Sequence, residues 1–282
     1  MLAVQSITSF DLPELQPYRT MQYQFEHRQQ GIFVAEGEKV VRRLIESSLP
    51  VVSVMLPAKW LADYQRLLGP RAASEDIRVF VGEKKLLEQL SGFSMYQGVL
   101  AVGKVPPPPD LDRLLREGPR PLLFVATEAM SNALNMGALV RNCAALGAQA
   151  LLVSETCCSP FIRRAVRASM GTIFRLPALE LPSLAEGLRV LRSRGLRLIA
   201  AHPHTDRRTL AQADFTGDCC VVLGSEGQGI TPAVLALCDD LVAIPMPPDV
   251  DSLNVASASA VFLYEVARQR GGLAPVRQAQ TS

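Results

Sequence analysis

An α/β protein in two parts is the fold this sequence predicts, and three observations predict it. Short apolar runs bounded by Gly and Pro alternate with stretches whose apolar residues recur every three to four positions. In the second part these runs are almost wholly apolar, as parallel strands covered on both faces must be. Between the parts stand four consecutive prolines, Pro106 to Pro109. Consecutive prolines remove backbone donors and hold the chain extended, which is the behaviour of a linker.

At 282 residues the chain is long enough for two domains of ordinary size. The expected division is a small N-terminal domain over 1–105, a proline-rich linker over 106–119, a larger domain over 120–270 and a disordered tail over 271–282. In the first domain, residues 31–37 read as a strand stopped by glycine. Val40, Val41, Leu44 and Ile45 then share one face of a helix running to about Ser48. Residues 51–56, 79–81 and 98–102 read as strands and 59–68 as a helix, an alternation that implies an α/β/α sandwich. In the larger domain the expected strands are 122–125, 150–153, 196–200, 220–223 and 241–244. The expected helices are 137–146, 161–169, 183–193 and 253–270.

Composition narrows the class. Hydrophobic residues make up 48% and charged residues 20%, the balance of a globular chain with a real core. No apolar run reaches the ~18 residues that span a bilayer, and the first residues lack a secretory signal, so a cytoplasmic protein away from membranes is expected. A net charge of +2 does not by itself point to nucleic acid. Of the 29 basic residues, 24 are Arg, the better bidentate partner for phosphate. Cys143, Cys157, Cys158, Cys219, Cys220 and Cys238 show neither Cys-x-x-Cys spacing nor a disulfide framework. Cys219 and Cys220 open an apolar run and should pack as small hydrophobes. His202-Pro203-His204 lacks a partner set for a metal, and none is expected.

Three segments carry chemistry. The first runs from Asn135 to Ala144. It follows a buried strand and opens a helix, where Asn135 can cap free amides and Gly137 lets another segment approach. Arg141 lies one turn further on. The second, Val221 to Ile230, is a strand running into a turn with glycines at 224, 227 and 229. That spacing is not Gly-x-Gly-x-x-Gly, which sets aside a nicotinamide-dependent Rossmann enzyme. What remains is a strand end with free amides beside a carboxylate, suited to an adenosine-like ligand. In the third, Pro245, Pro247 and Pro248 impose an extended path from Ile244. Asp251 or Ser252 can cap the following helix, whose small residues from Ala256 to Ala260 permit close packing.

In this order the segments closely resemble the SpoU/TrmH branch of the SPOUT methyltransferases. That family carries Asn-x-Gly-x-x-x-Arg, then Leu-Gly-x-Glu-Gly-x-Gly-Ile, then Ile-Pro-Met followed by Ser-Leu-Asn-Val. Arg163 to Gly171 resembles the family's intervening helix end, and the likeness covers residues 120–270. Phe33 to Gly37 and Tyr96 to Val99 are similar to a ribosomal-protein-like RNA-recognition domain of ribosomal RNA members. Asn132-Ala133 stands where many members have Asp-Pro.

The resemblance implies a parallel sheet with a trefoil knot, a homodimer, and S-adenosylmethionine as methyl donor. It implies methyl transfer to a ribose 2′-hydroxyl of RNA, with ribosomal RNA favoured by the N-terminal domain. Leu223, Gly224, Ile244, Met246 and Leu253 would hold the cofactor. Glu226, Ser252 and Asn254 would lie near the reacting groups, with Arg141 as the activating cation and Asn135 orienting the ribose or the Arg. Arg163 and Arg167 share a helix face and, with Arg164, would contact phosphate. The alternatives are a transfer RNA substrate, or a non-catalytic RNA-binding protein that keeps the fold.

Overall fold

The computed structural model describes residues 2–91, 98–205, 208–225 and 227–272. Tyr96, Gln97, Glu226 and the tail from Leu273 lie outside them. The chain forms two compact units. The first takes Met1–Pro108 together with Asn132–Arg141 and Cys158–Arg175; the second takes Pro109–Ser131, Asn142–Cys157 and Leu176–Ser282.

The first unit is built on a five-stranded sheet of β1 (Leu2–Ile7), β2 (Ile32–Glu36), β3 (Val51–Leu56), β4 (Ile77–Gly82) and β5 (Leu100–Lys104), in the order β1-β4-β3-β5-β2. Pairing is parallel except at β5, which runs antiparallel to both β3 and β2. Helices α1 (Gln16–Arg19), α2 (Gln24–Gln29), α3 (Glu38–Glu46), α4 (Leu61–Leu68) and α5 (Lys84–Ser91) connect the strands. The expected face of α3 is the buried one: Val40, Val41, Leu44 and Ile45. A core of Leu15, Tyr18, Val34, Met55, Phe80, Leu100 and Val102 fills the sheet. Buried Tyr18 shares a 2.8 Å hydrogen bond with Ser53 Oγ, the partner a sequestered phenol needs.

Three helices follow: α6 (Leu111–Glu117), α7 (Ala133–Ala145) and α8 (Arg163–Ala168). The first of them lies inside the span expected as linker. Asp110 caps it through the Arg113 amide at 3.1 Å, and Leu115 is buried in the second unit's core. The extended stretch is therefore shorter than its proline content suggests.

The second unit is built on seven strands: β6 (Leu123–Thr127), β7 (Ala150–Val153), β8 (Ala178–Glu180), β9 (Arg197–Ala201), β10 (Arg208–Thr209), β11 (Cys219–Leu223) and β12 (Asp240–Ala243). Their order is β10-β12-β9-β11-β6-β7-β8, and every pairing is parallel. All residues of β6, β7 and β11 are buried, as their apolar composition requires. Helix α9 (Leu184–Ser193) buries Leu184, Leu188 and Leu191 on one stripe and is capped by Ser183. A four-residue helix, α10 (Pro232–Leu235), precedes β12, and α11 (Val255–Gln269) closes the unit. Just beyond it, Arg270 donates to the carbonyls of Phe215 at 2.8 Å and Pro121 at 2.9 Å. No helix among the described residues is long and apolar enough to cross a membrane.

All six cysteines are free. Cys143 and Cys220 are fully buried, and burial pushes both thiols well above the ordinary range. Because the thiolate is the reactive form, native protein treated with a maleimide at neutral pH should label Cys157 and Cys158 first. Cys143 and Cys220 should react only after unfolding, as peptide mass spectrometry will show. Rapid native labelling of Cys220 would contradict this packing.

Candidate active site

With all strands parallel, the loops after β9, β11 and β12 emerge at one edge of the sheet, where open α/β folds hold ligands. There they enclose a cavity of about 240 Å³. Leu223, Gly224, Ile230, Val242, Ile244, Met246, Leu253 and Phe262 supply mostly apolar wall, and Ser225, Gln228, Ser252 and His202 supply polar groups. Each expected cofactor residue, Leu223, Gly224, Ile244, Met246 and Leu253, lines this one cavity.

The turn after β11 closes on itself. Ser225 N donates to the Gly229 carbonyl at 3.2 Å and Gly229 N returns the bond at 3.1 Å. A Cβ on Gly224 would collide with the backbone of Gly229 and Ile230. This glycine is thus required by loop closure as well as by any ligand. The turn is anchored at its far end by Glu128, just beyond β6, whose carboxylate accepts from both the amide and the hydroxyl of Thr231 at 2.8 Å. Glu128 and Thr231 lie outside the three segments, and nothing in their sequence spacing pairs them.

Capping differs from expectation at both motif helices. On α11 the cap is Asn254, not Asp251 or Ser252: its Oδ1 accepts from Ala256 N at 2.9 Å and Ser257 N at 3.4 Å. Asn254 therefore shapes the helix start, while Ser252 faces the cavity. On α7 the cap is Asn132, whose Oδ1 accepts from Leu134 N at 2.8 Å and Asn135 N at 3.4 Å. The helix starts four residues earlier than expected, so Asn135 sits inside its first turn. Asn132 does the work an Asp would do at that position. Arg141 is exposed on the same helix.

Two further residues escaped sequence reasoning. Asn142 Nδ2 donates to the Ala256 carbonyl at 2.7 Å and to Ser259 Oγ at 2.9 Å, fixing the start of α11. His202 follows β9, and its Nδ1 is buried without a hydrogen-bond partner among the described residues. Among the described residues no cluster of His, Cys, Asp or Glu could hold a metal.

The expected phosphate face of α8 divides. Arg164 is exposed. Arg163 is instead turned inward: its side chain is 12% exposed and lies 2.9 Å from the carboxylate of Glu36, which Arg167 also meets at 2.6 Å. Residues 163 and 167 do share a face, but that face meets a buried acid.

A parallel sheet with a glycine- and proline-bounded cavity at its edge defines a ligand-binding α/β protein of the open-sheet class. The model of the SpoU rRNA Methylase family matches residues 122–264, just over half of the chain, and the chain belongs to that family of RNA methyltransferases. An uncharacterized tRNA/rRNA methyltransferase of Synechocystis is 30% identical over 95% of each chain. One from Mycobacterium bovis is 29% identical over 97% of this chain and 95% of its own. The SpoU methyltransferase AviRb of Streptomyces viridochromogenes, solved in complex with the cofactor AdoMet, is 27% identical with a TM-score of 0.79. That match covers 92% of this chain and 98% of AviRb. An AdoMet-bound rRNA methyltransferase of Sinorhizobium meliloti has the same fold, with a TM-score of 0.81 at 21% identity over 94% and 98% of the two chains.

Gly137 marks how closely the motif helices approach. A Cβ there would collide with the Ala165 carbonyl and the Ala168 side chain and stand 2.9 Å from Ser169 N. In Gly137→Ala the gain in helix propensity is ~1 kcal/mol, but overpacking costs ~1–3 kcal/mol. Denaturant titration should therefore show net destabilisation; a stabilised variant would mean the two helices are not in contact.

Proposed function

We propose that this chain transfers a methyl group from S-adenosylmethionine to a ribose 2′-hydroxyl of RNA, ribosomal RNA first. The cavity at the sheet edge carries the reading, since all five residues assigned to the cofactor line it. Its apolar wall suits an adenine ring, and the unpartnered Nδ1 of His202 offers a polar ligand atom a hydrogen bond. The AviRb complex supports the cofactor and the Synechocystis relative supports an RNA substrate. Membership in the fold family implies the trefoil knot. A cytoplasmic homodimer is proposed with it, supported by Val261 and Tyr264, which are 39% and 51% exposed and three residues apart on α11.

S-adenosylmethionine, when bound, supplies an electrophilic methyl on a sulfonium. Leu223, Gly224, Ile244, Met246 and Leu253 would hold it, and Ser252 would lie beside the reacting groups. Asn254 keeps the start of α11 in place. A guanidinium does not serve as a base, so Arg141 acts as a fixed cation for the oxyanion developing on the ribose. Asn135 orients the ribose, and exposed Arg164 contacts phosphate.

Incubating the protein with labelled S-adenosylmethionine and deproteinised ribosomal or transfer RNA, followed by nucleoside mass spectrometry, tests the substrate. A 2′-O-methyl nucleoside from ribosomal RNA is expected. Label in transfer RNA alone would shift the substrate, and base methylation would overturn the ribose assignment. Met246→Lys puts a cation into the wall of a cavity proposed to take a cationic cofactor, so calorimetry should show affinity for S-adenosylmethionine falling ~10-fold or more. Unchanged affinity in the folded variant would move the ligand elsewhere.

The role of Arg141 separates on charge and shape. Arg141→Lys keeps the cation and loses the planar fork, so single-turnover methyl transfer should fall without vanishing. Arg141→Ala should cost on the order of 3 kcal/mol in transition-state stabilisation, with cofactor affinity nearly unchanged. A general base would leave both variants equally inactive and rescued by high pH, and wild-type rates in Arg141→Ala would remove the residue from the mechanism.

A further inference from the structure

Glu36 ends β2 and is 6% exposed. Its two carboxylate oxygens are divided between two guanidinium groups one helical turn apart on α8. Oε2 accepts from Arg163 at 2.9 Å and Oε1 from Arg167 at 2.6 Å. Removing charges from water offsets most of what such a pair contributes to stability, whereas two charge-assisted bonds to one acid fix orientation. Nearby contacts act the same way. The Phe33 ring on β2 lies 5.5 Å from Phe161 and 5.4 Å from Phe174, and Arg43 Nη1 donates to the Met170 carbonyl at 2.5 Å. Residues 158–175 are thereby held on the N-terminal sheet from both ends of α8.

The same helix is the surface against which α7 rests. Gly137 meets Ala165, Ala168 and Ser169 with no room for a methyl group between them, so a shift of α8 must carry the first turns of α7 with it. Those turns bear Asn135 and lead to Arg141. We propose that Glu36 is a positioning residue for methyl transfer: by clamping α8 to β2 it sets the placement of Asn135 and Arg141. This rests on the methyl-transfer reading above and extends it. The N-terminal sheet then contributes to the rate of reaction as well as to RNA selection, and Arg167 acts through Glu36 rather than through phosphate.

Arg167 separates the two roles, because Arg167→Ala leaves the more buried Arg163 on Glu36 and should fold. In the full chain, the single-turnover rate at saturating ribosomal RNA should fall ~10-fold, the scale of a small misplacement of reacting groups. RNA affinity should stay within about twofold of wild type, and Arg167→Lys should recover part of the rate. Glu36→Gln should act in the same direction, and Glu36→Gln with Arg167→Ala should be no worse than the poorer single variant, since both break one clamp. Weakened RNA binding with an intact saturating rate in Arg167→Ala would make Arg167 a phosphate contact and overturn the proposal. Hydrogen exchange gives a readout free of catalysis: amides 136–141 should exchange faster in Arg167→Ala than in wild type, and unchanged exchange would overturn the clamp. A wild-type protein that methylates no RNA would sink the function proposed above, and hydrogen exchange would still decide the clamp.

Discussion

Seven strands running the same way confine the chemistry of the second unit. Strands β6, β7 and β11 are wholly buried, so their faces present no polar site, and the loops emerge only at the two edges of the sheet. At the carboxyl edge the exits of β9, β11 and β12 are neighbours because those strands are neighbours in the sheet. The loops after these three strands, separate in sequence, therefore meet at one cavity with no need for long side chains to reach each other. Glu128 supports this arrangement from the next strand over, holding Thr231 so that the turn after β11 folds back over the sheet edge.

Once loops are brought this close, backbone must approach backbone. Gly224 meets Gly229 and Ile230, Gly137 meets the end of α8, and Asn142 reaches the small-residue start of α11 through the Ala256 carbonyl. Each contact leaves little freedom, which suits a reaction whose rate depends on placement of two reactants. Helix α7 is common to both compact units: Asn132–Arg141 belongs to the first and Asn142 onward to the second. The residue proposed to carry the charge, Arg141, stands at the point of change along that helix.

Much of this was legible in the sequence, for identifiable reasons. The apolar runs of β6, β7, β9, β11 and β12 were found within one or two residues because strands covered on both faces, wholly or in their inner part, need nearly continuous apolar side chains. Strand β1 was not, since four of its six residues are exposed. Strands β8 and β10, of three and two residues, are too short for any period to register. The antiparallel course of β5 has no local signature, because direction is set by where the chain returns. At the cavity, the five residues that the family resemblance assigns to one ligand do line a single pocket. His202 and Glu128 were not, because each acquires its role only from a strand beside its own.

The capping asparagines show a finer limit. Asn132, Asn135 and Asn254 are equally good cap residues by type, and only the backbone decides which one ends up outside the helix. Arg163 and Arg167 show a larger one. An Arg pair one turn apart with no acid nearby in sequence suits a phosphate, and sequence spacing supports that reading fully. The acid that answers them is 127 and 131 residues away, on a strand of the other part of the chain. A guanidinium serves a buried carboxylate and a phosphate through the same planar fork, so the side chain itself cannot announce which it meets. Burial distinguishes the two arginines: the Arg163 side chain is 12% exposed, whereas Arg167, at 54%, meets the same buried acid from the solvent side. The pairing of a buried acid in one part with a helix of the other is what turns two sequence domains into a unit that crosses their boundary.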